Sequence, residues 1–343
     1  MTTQLEQEIA SQPEVIAQLL DRESGRVAQI VRELPTFSYA LIAARGSSDH
    51  AATYAKYAWA ALTGRPVALA TPSLHTLYNA PPRFEGALAV GISQSGQSPD
   101  IVAVLEEARR QGRPTLAITN DGTSPLAQAA DHVIELHAGP ERSVAATKTY
   151  TAQVAAVALL AAAWSGRPEL LEQLRALPQA VATTLEQANW AGRAERYRYA
   201  EQCVVIGRGY NYSTAFEIAL KLKELTYIGA IAYSSADFRH GPIATIAEGL
   251  PTLLVMPSGA AFDDMLALAR DLKARGAELL VISDEPAAHE QATLALPLAA
   301  GQPEWLSPLT AVLPGQILAM RLAMARGFDP DRPRGLQKVT LTT

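Results

Sequence analysis

The sequence predicts an α/β protein of two tandem, doubly wound parallel-sheet sandwich domains with flanking helices. Three observations lead there. Short, continuous apolar runs alternate with helical patterns, and strands buried on both faces with helices between them form parallel sheets. The pattern then repeats. Cys203-Val-Val-Ile-Gly-Arg-Gly209 matches Ala40-Leu-Ile-Ala-Ala-Arg-Gly46, 163 positions on. Gly276 followed by Leu279-Leu-Val-Ile-Ser283 matches Gly112 followed by Thr115-Leu-Ala-Ile-Thr119, 164 positions on. Such self-similarity is the mark of an internal duplication. Finally, 343 residues, 48% of them hydrophobic and 18% charged, suit two domains with sizeable cores.

In chain order, a helical stretch over 7–33 precedes a strand at Tyr39–Ala44, whose residues are small and branched and carry no charge. A helix over 49–62 follows. Ala87-Leu-Ala-Val-Gly-Ile92 is the next strand, with a helix over 100–111 opened by Pro99-Asp100. Thr115–Thr119 and His132–Leu136 are further strands, with a short helix over 124–130 between them. A polar, helical stretch from 165 to 200 joins the halves. The second half places strands at 203–207, 252–256 and 279–283, and a helix at 309–326. The predicted domains are 1–195, with the leading helices and the linker, and 196–343, with the C-terminal tail.

Composition excludes several classes. With 29 Lys and Arg against 34 Asp and Glu, the net charge is −5, so no nucleic-acid or anionic-membrane partner is expected. The single cysteine, Cys203, rules out a disulfide framework and fits a reducing compartment. No basic segment leads into an apolar one near the N-terminus, so no signal peptide is expected. The longest apolar stretch, 152–164, is too short to span a bilayer. A cytoplasmic location follows as the expectation.

After the second strand comes Ser93-Gln-Ser-Gly-Gln-Ser98, leading into a helix. Its hydroxyls, together with the N–H groups and dipole of a helix N-terminus, suit an anion. Gly46-Ser47-Ser48 would lie alongside, at the carboxyl end of the first strand, where doubly wound sheets hold ligands. Two readings stand: a phosphoryl site built from hydroxyls and amides, or two ordinary turns with serine N-caps. Neither a Walker loop nor a dinucleotide fingerprint is present, since Tyr212 fills the third glycine position after Gly207-Arg-Gly209. In the second half the corresponding loop, Pro257-Ser-Gly-Ala-Ala-Phe262, has lost most of its hydroxyls.

Glu217, Lys221 and Glu224 are spaced i, i+4, i+7 and share one helix face, either as a solvated salt-bridge row or as acid–base machinery. His240 stands in a Gly-Pro turn. Lys338 is one of only six lysines. No histidine, cysteine or carboxylate set has metal-ligand spacing, so no metal and no cofactor are expected.

Taken in order, Arg45-Gly-Ser-Ser48, Ile92-Ser-Gln-Ser-Gly-Gln-Ser98, Ser143-Val-Ala-Ala-Thr-Lys-Thr149, Lys221-Leu-Lys-Glu224, Arg239-His-Gly-Pro242 and Asp331-Arg-Pro-Arg-Gly-Leu-Gln-Lys338 resemble the sugar isomerase (SIS) family in its tandem form. The resemblance covers nearly the whole chain. It is to the isomerase half of glucosamine-6-phosphate synthases and, most closely, to stand-alone isomerising glucosamine-6-phosphate deaminases. It implies the SIS fold, a homodimer, and a phosphorylated amino sugar or hexose phosphate as substrate. It assigns Ser48, Ser93, Gln94, Ser95 and Ser98 to the phosphate, with Gly46, Ser47, Val144 and Lys221 also at the substrate. Glu224 would move a proton between C1 and C2. His240, from the neighbouring subunit, would open the sugar ring. Lys338 would form an imine or stabilise charge. Ala146 replaces a serine of the synthase motif. No glutaminase segment with an N-terminal cysteine precedes the first sugar domain, so deamination, yielding fructose 6-phosphate and ammonia, is the expected direction. A plain aldose–ketose isomerase, a deaminase of another amino-sugar phosphate and a non-catalytic sugar-phosphate sensor are the alternatives.

Overall fold

The computed structural model describes residues 2–338. Helices α1 (Gln4–Ala10) and α2 (Gln12–Glu33) lead the chain. Ser11 closes the first and Pro13 opens the second, so the single helical stretch expected over 7–33 is broken near its start. Then come β1 (Tyr39–Ala43), α3 (Ser47–Thr63), β2 (Val67–Leu69), α4 (Ser73–Thr76), β3 (Ala87–Ser93), α5 (Pro99–Arg110), β4 (Thr115–Thr119), α6 (Pro125–Ala129) and β5 (His132–Glu135). Helices α7 (Lys148–Ser165) and α8 (Pro168–Glu186) and a 3-10 stretch, Ala188–Tyr197, follow. The second series is β6 (Gln202–Gly207), α9 (Tyr212–Thr226), β7 (Gly229–Ser234), α10 (Ser235–Arg239), β8 (Pro251–Val255), α11 (Phe262–Ala274), β9 (Glu278–Ser283), α12 (Pro286–His289), β10 (Leu294–Pro297) and α13 (Ser307–Ala325).

Both sheets are parallel and five-stranded, in the orders β2-β1-β3-β4-β5 and β10-β9-β8-β6-β7. Read from its first strand, each goes to one neighbour, returns, and continues on the other side. The two topologies are identical, as a duplication requires. In each, the chain reverses direction across the sheet between the first and third strands, β1/β3 and β6/β8. At such a switch point the strand-to-helix loops part and leave a crevice.

The chain packs as two compact units. Among the described residues, one gathers Glu14–Glu141, Lys148–Ala176 and Gln337–Lys338; the other gathers Thr2–Pro13, Arg142–Thr147 and Leu177–Leu336. Residues 177–195 thus accompany the second sheet rather than the first. In the first unit every residue of β3 and β4 is buried, and Leu41, Phe84, Ile101, Leu105 and Leu126 fill one face. Helix α7 is buried from Lys148 to Ala162 and apolar nearly all round, which suits a helix inside a large core. The Trp59 indole of α3 donates to the Val157 carbonyl of α7 at 2.9 Å. Three strands escaped the sequence reading. Strand β2 has three residues, none of them buried, while β7 and β10 lie at sheet edges and are only partly buried. None forms a continuous apolar run.

In the second unit Val204, Ile206, Phe238, Leu254, Leu279 and Val281 form one side of the core. Helix α13 covers α9. Over Glu304–Ala325 it is long and apolar enough to cross a membrane, with a mean hydropathy of 1.3, but 83% of that window is buried inside the protein, which marks a core helix. It packs against α9 at Gly315, where an added Cβ would stand 2.3 Å from Ile218 Cγ1 and 2.6 Å from its Cδ1. Gly315→Ala therefore forces α13 away from α9. The overlap outweighs the gain in helix propensity, and we expect a net loss of about 1–3 kcal/mol, read as a lower midpoint in chemical denaturation.

Candidate functional site

The serine loops occupy the switch point of the first sheet. Strand β1 ends at Ala43, and Gly46, at φ +54 and ψ −131, turns the chain into α3. That backbone favours glycine and brings Ser47 and Ser48 to the first turn of the helix. Ser48 is buried, and its N–H closes on the Arg45 carbonyl at 3.1 Å. Across the crevice, Ser93 ends β3 and its hydroxyl accepts from the Gly96 N–H at 3.1 Å. Gln94 is fixed through its carbonyl, which takes the Asn120 N–H at 3.1 Å. Ser95 accepts from the Gln97 N–H at 3.3 Å. Gly96 is at φ +62, and a Cβ there would collide with Ser124 Oγ at 2.1 Å. No other residue fits the loop at that point.

Ser98 sits at the N-cap of α5, yet its side chain makes no capping hydrogen bond. Gly46, the cap of α3, has no side chain to give. The serines are therefore not explained as N-caps. What the loops offer is a set of hydroxyls and N–H groups at two helix N-termini, the chemistry of an anion site.

Arg45 ties the two loops together. Its Nε and Nη2 each lie 2.8 Å from Asp100 Oδ2. Asp100 is fully buried, and its Oδ1 accepts the Ile101 N–H at 2.9 Å. Asp49, in the first turn of α3, has its carboxyl pushed up by burial, against the opposing charges of His50, Arg45 and Lys56.

The second sheet shows what became of the same position. In the loop after β8, Ser258 spends both its N–H and its hydroxyl on Asp284 at 2.7 Å. The N–H groups of Ala260 and Ala261, opening α11, are taken by the Glu304 carboxylate at 2.8 and 3.3 Å. Glu304 packs so closely that a Cβ on Gly259 would lie 2.4 Å from its Cδ. An internal carboxylate fills the place at which the first unit has its hydroxyl-rich loop.

The carboxylate row is on α9, which leaves the first strand of the second sheet. It is not a solvated face. The side chains of Glu217 and Lys221 are 0% and 1% exposed, and Glu224 is 21% exposed. Lys221 Nζ lies 2.5 Å from Glu224 Oε2 and 3.4 Å from Glu217 Oε1. Helical spacing puts all three on one stripe, with Ile218, Leu222 and Leu225 buried beside it. Burying a charge is costly unless it is met, so Lys221 and Glu217 hold one another while Glu224 alone reaches solvent. A carboxylate fixed by an ammonium and open on one side can accept a proton and return it.

His240 caps α10 through its backbone N–H, which reaches the Asp237 carbonyl at 3.1 Å; its side chain is exposed. Val144 is half-buried. Its neighbours Arg142 and Ser143 give their N–H groups to the buried Glu8 carboxylate at 2.5 and 3.2 Å. Lys338 Nζ lies 2.8 Å from Glu141 Oε2. The structure thus pairs Lys221 with Glu224, joins the Ser47–Ser48 loop to the Ser93–Ser98 loop, and seats Lys338. Asp100, Glu141 and Glu304 were missed, since a lone acid in a sequence carries no signal of what it holds. Among the described residues no cluster of three or more His, Cys, Asp or Glu could hold a metal.

Fold and motifs together define a tandem α/β sandwich. The chain belongs to the SIS domain family, which matches residues 39–163 and 197–326. It is 35% identical over 335 residues to a glutamine–fructose-6-phosphate aminotransferase (isomerizing) of Methanothermobacter thermautotrophicus, an alignment that covers 96% of this chain and 56% of that one. The chain spans about half the length of the named relatives it matches. Among solved structures, it is similar to a protein of Silicibacter pomeroyi assigned as a phosphosugar isomerase (TM-score 0.87, 35% identity, 96% of this chain and 100% of that one). It is also similar to the C-terminal domain of the glucosamine-fructose-6-phosphate aminotransferase of Francisella tularensis (TM-score 0.87, 27% identity, 97% and 98%).

Removing the buried cation tests the α9 row directly. We expect Lys221→Met to destabilise the protein by about 3–5 kcal/mol, because Glu217 is left charged in a dry interior. Adding Glu217→Gln should recover part of that loss in equilibrium unfolding.

Proposed function

We propose that the protein is an isomerising glucosamine-6-phosphate deaminase, converting glucosamine 6-phosphate and water to fructose 6-phosphate and ammonia. The observation that carries this reading is the α9 row, in which a buried lysine grips two carboxylates and only Glu224 is open. Relatives named for isomerising chemistry on fructose 6-phosphate support it.

In this scheme the substrate phosphate binds the hydroxyls of Ser48, Ser93, Ser95 and Ser98 and the Gln94 side chain, with Gly46 and Ser47 shaping the loop. Val144 and Lys221 serve the sugar. His240 opens the ring by moving a proton between the ring oxygen and O1. Glu224 takes the C2 proton, giving an enolamine, and returns it to C1. The product is an imine at C2, and its net hydrolysis gives the ketone and ammonia. Lys221 offsets the negative charge that develops. Release of ammonia needs only water. We further propose a cytoplasmic homodimer in which each His240 serves the neighbouring subunit.

Glu224→Gln should lower the rate of ammonia release from glucosamine 6-phosphate by about 10²–10⁴-fold, with folding unchanged. A variant at near wild-type rate would remove Glu224 from its role. If no hexosamine phosphate yields ammonia, the deaminase reading falls. The likeness to a protein assigned as a phosphosugar isomerase favours one second reading, an aldose–ketose isomerase. Turnover of hexose phosphates without nitrogen release would select it.

Subunit exchange tests the dimer. Mixing inactive Glu224→Gln with inactive His240→Ala should restore up to about a quarter of wild-type activity, since half the dimers are mixed and each holds one intact site. Two variants that stay inactive after mixing would put both residues in one subunit.

A further inference from the structure

Glu141 has a part that neither the motifs nor the acid–base row assigns. Its side chain is 0% exposed, yet it is fully hydrogen-bonded. Oε1 accepts the Thr149 N–H at 3.2 Å, and Oε2 accepts the Thr149 hydroxyl at 2.6 Å. Thr149 is the second residue of α7, so the carboxylate is pinned against the positive end of an 18-residue helix. That anchoring does not involve the tail. The nearby cation on the same stretch, Lys148, is engaged elsewhere, its Nζ on the Pro140 carbonyl at 3.0 Å. The position that remains on Oε2 is taken by Lys338 Nζ at 2.8 Å, with the Lys338 side chain 25% exposed. A buried, fixed carboxylate thus receives an amine that arrives from the chain terminus and stays open to solvent on its other side.

We propose that Glu141 is the positioning residue for the Lys338 amine and the acceptor of its proton. This rests on the deaminase reading and assigns a route by which nitrogen leaves. Lys338 passes one proton to Glu141, and its free lone pair attacks C2 of the protonated substrate imine. The C2–Nζ bond forms and the bond to the substrate nitrogen breaks. That nitrogen departs as ammonium, carrying the proton Glu141 had taken and one of the two left on Nζ, and the C2–Nζ imine stays protonated. Water then splits the C2–Nζ imine, giving the ketone and restoring the lysine ammonium. A carboxylate at hydrogen-bond distance is what such a transfer requires.

The test is E141Q in the full-length protein. The amide keeps an oxygen for Thr149 but cannot take a proton. The expected result is at least about a tenfold fall in kcat for ammonia release, with KM unchanged, and a rate that climbs with pH as hydroxide replaces the carboxylate. Borohydride with fructose 6-phosphate should leave a sugar adduct on the wild-type tryptic peptide beginning at Gly335, and less of it on E141Q. The conservative E141D should recover part of the rate. It also replaces E141Q should the amide variant lose its melting transition. Wild-type kcat and pH profile in E141Q, or no adduct on Lys338 in the wild type, overturns the proposal. Either result can occur while the wild type still releases ammonia. Failure of the wild type to release ammonia sinks the parent reading instead, and the adduct assay still reports on Lys338.

Discussion

An ammonium group held away from water must be met by opposite charge at short range, and Lys221 imposes that demand on the second unit. Its side chain is 1% exposed, and acids one turn before and one turn after meet it on its own helix. That requirement fixes the rotation of α9. With the charged stripe on one side, Ile218, Leu222 and Leu225 are forced onto the other, and α13 must come close enough at Gly315 to cover them. The helix cannot turn on its axis without exposing an apolar stripe or stranding a charge. Glu224 inherits this rigidity through its ion pair with Lys221.

Identical topologies have been put to different uses. Each sheet reverses at its first and third strands, and each ends those strands in loops that open helices. In the first unit the loops are rich in hydroxyls, bent by Gly46 and Gly96, and bound to one another by Arg45 and Asp100. In the second the loop is closed from within, with Glu304 on the α11 amides and Asp284 on Ser258. A helix N-terminus attracts an anion whether the anion comes from solution or from the chain itself. With a carboxylate of the chain in that place, the N-terminus of α11 is closed to an anion from outside.

The sequence disclosed what is periodic or local. Continuous buried strands such as β3, β4 and β9 announce themselves, because a parallel strand covered on both faces has no polar positions. Edge strands β2, β7 and β10 are half in solvent and leave no such run. The serine loops were legible as a cluster, though hydroxyls alone cannot separate a ligand site from a helix cap. At Ser98 the structure shows an N-cap position whose side chain makes no capping hydrogen bond, which a sequence does not reveal. The Glu217–Lys221–Glu224 spacing was plain, but spacing gives a face and not its burial. Glu141 and Asp100 were invisible, since their partners lie 197 and 55 residues away.

Each compact unit is assembled from three stretches of chain, and the short ones matter. Arg142–Thr147 belongs with the second sheet although it lies between segments of the first, and the chain up to Pro13 does the same from the other end. Asp331 shows the stitching within that unit: its carboxylate takes the Gln4 and Leu5 N–H groups at 2.9 and 2.8 Å and the Ser143 hydroxyl at 3.3 Å, so three distant stretches meet on one side chain. An ancestral duplication leaves two copies that can be parted with scissors. Here the copies have since been sewn through one another, and no single cut in the gene would release either one whole.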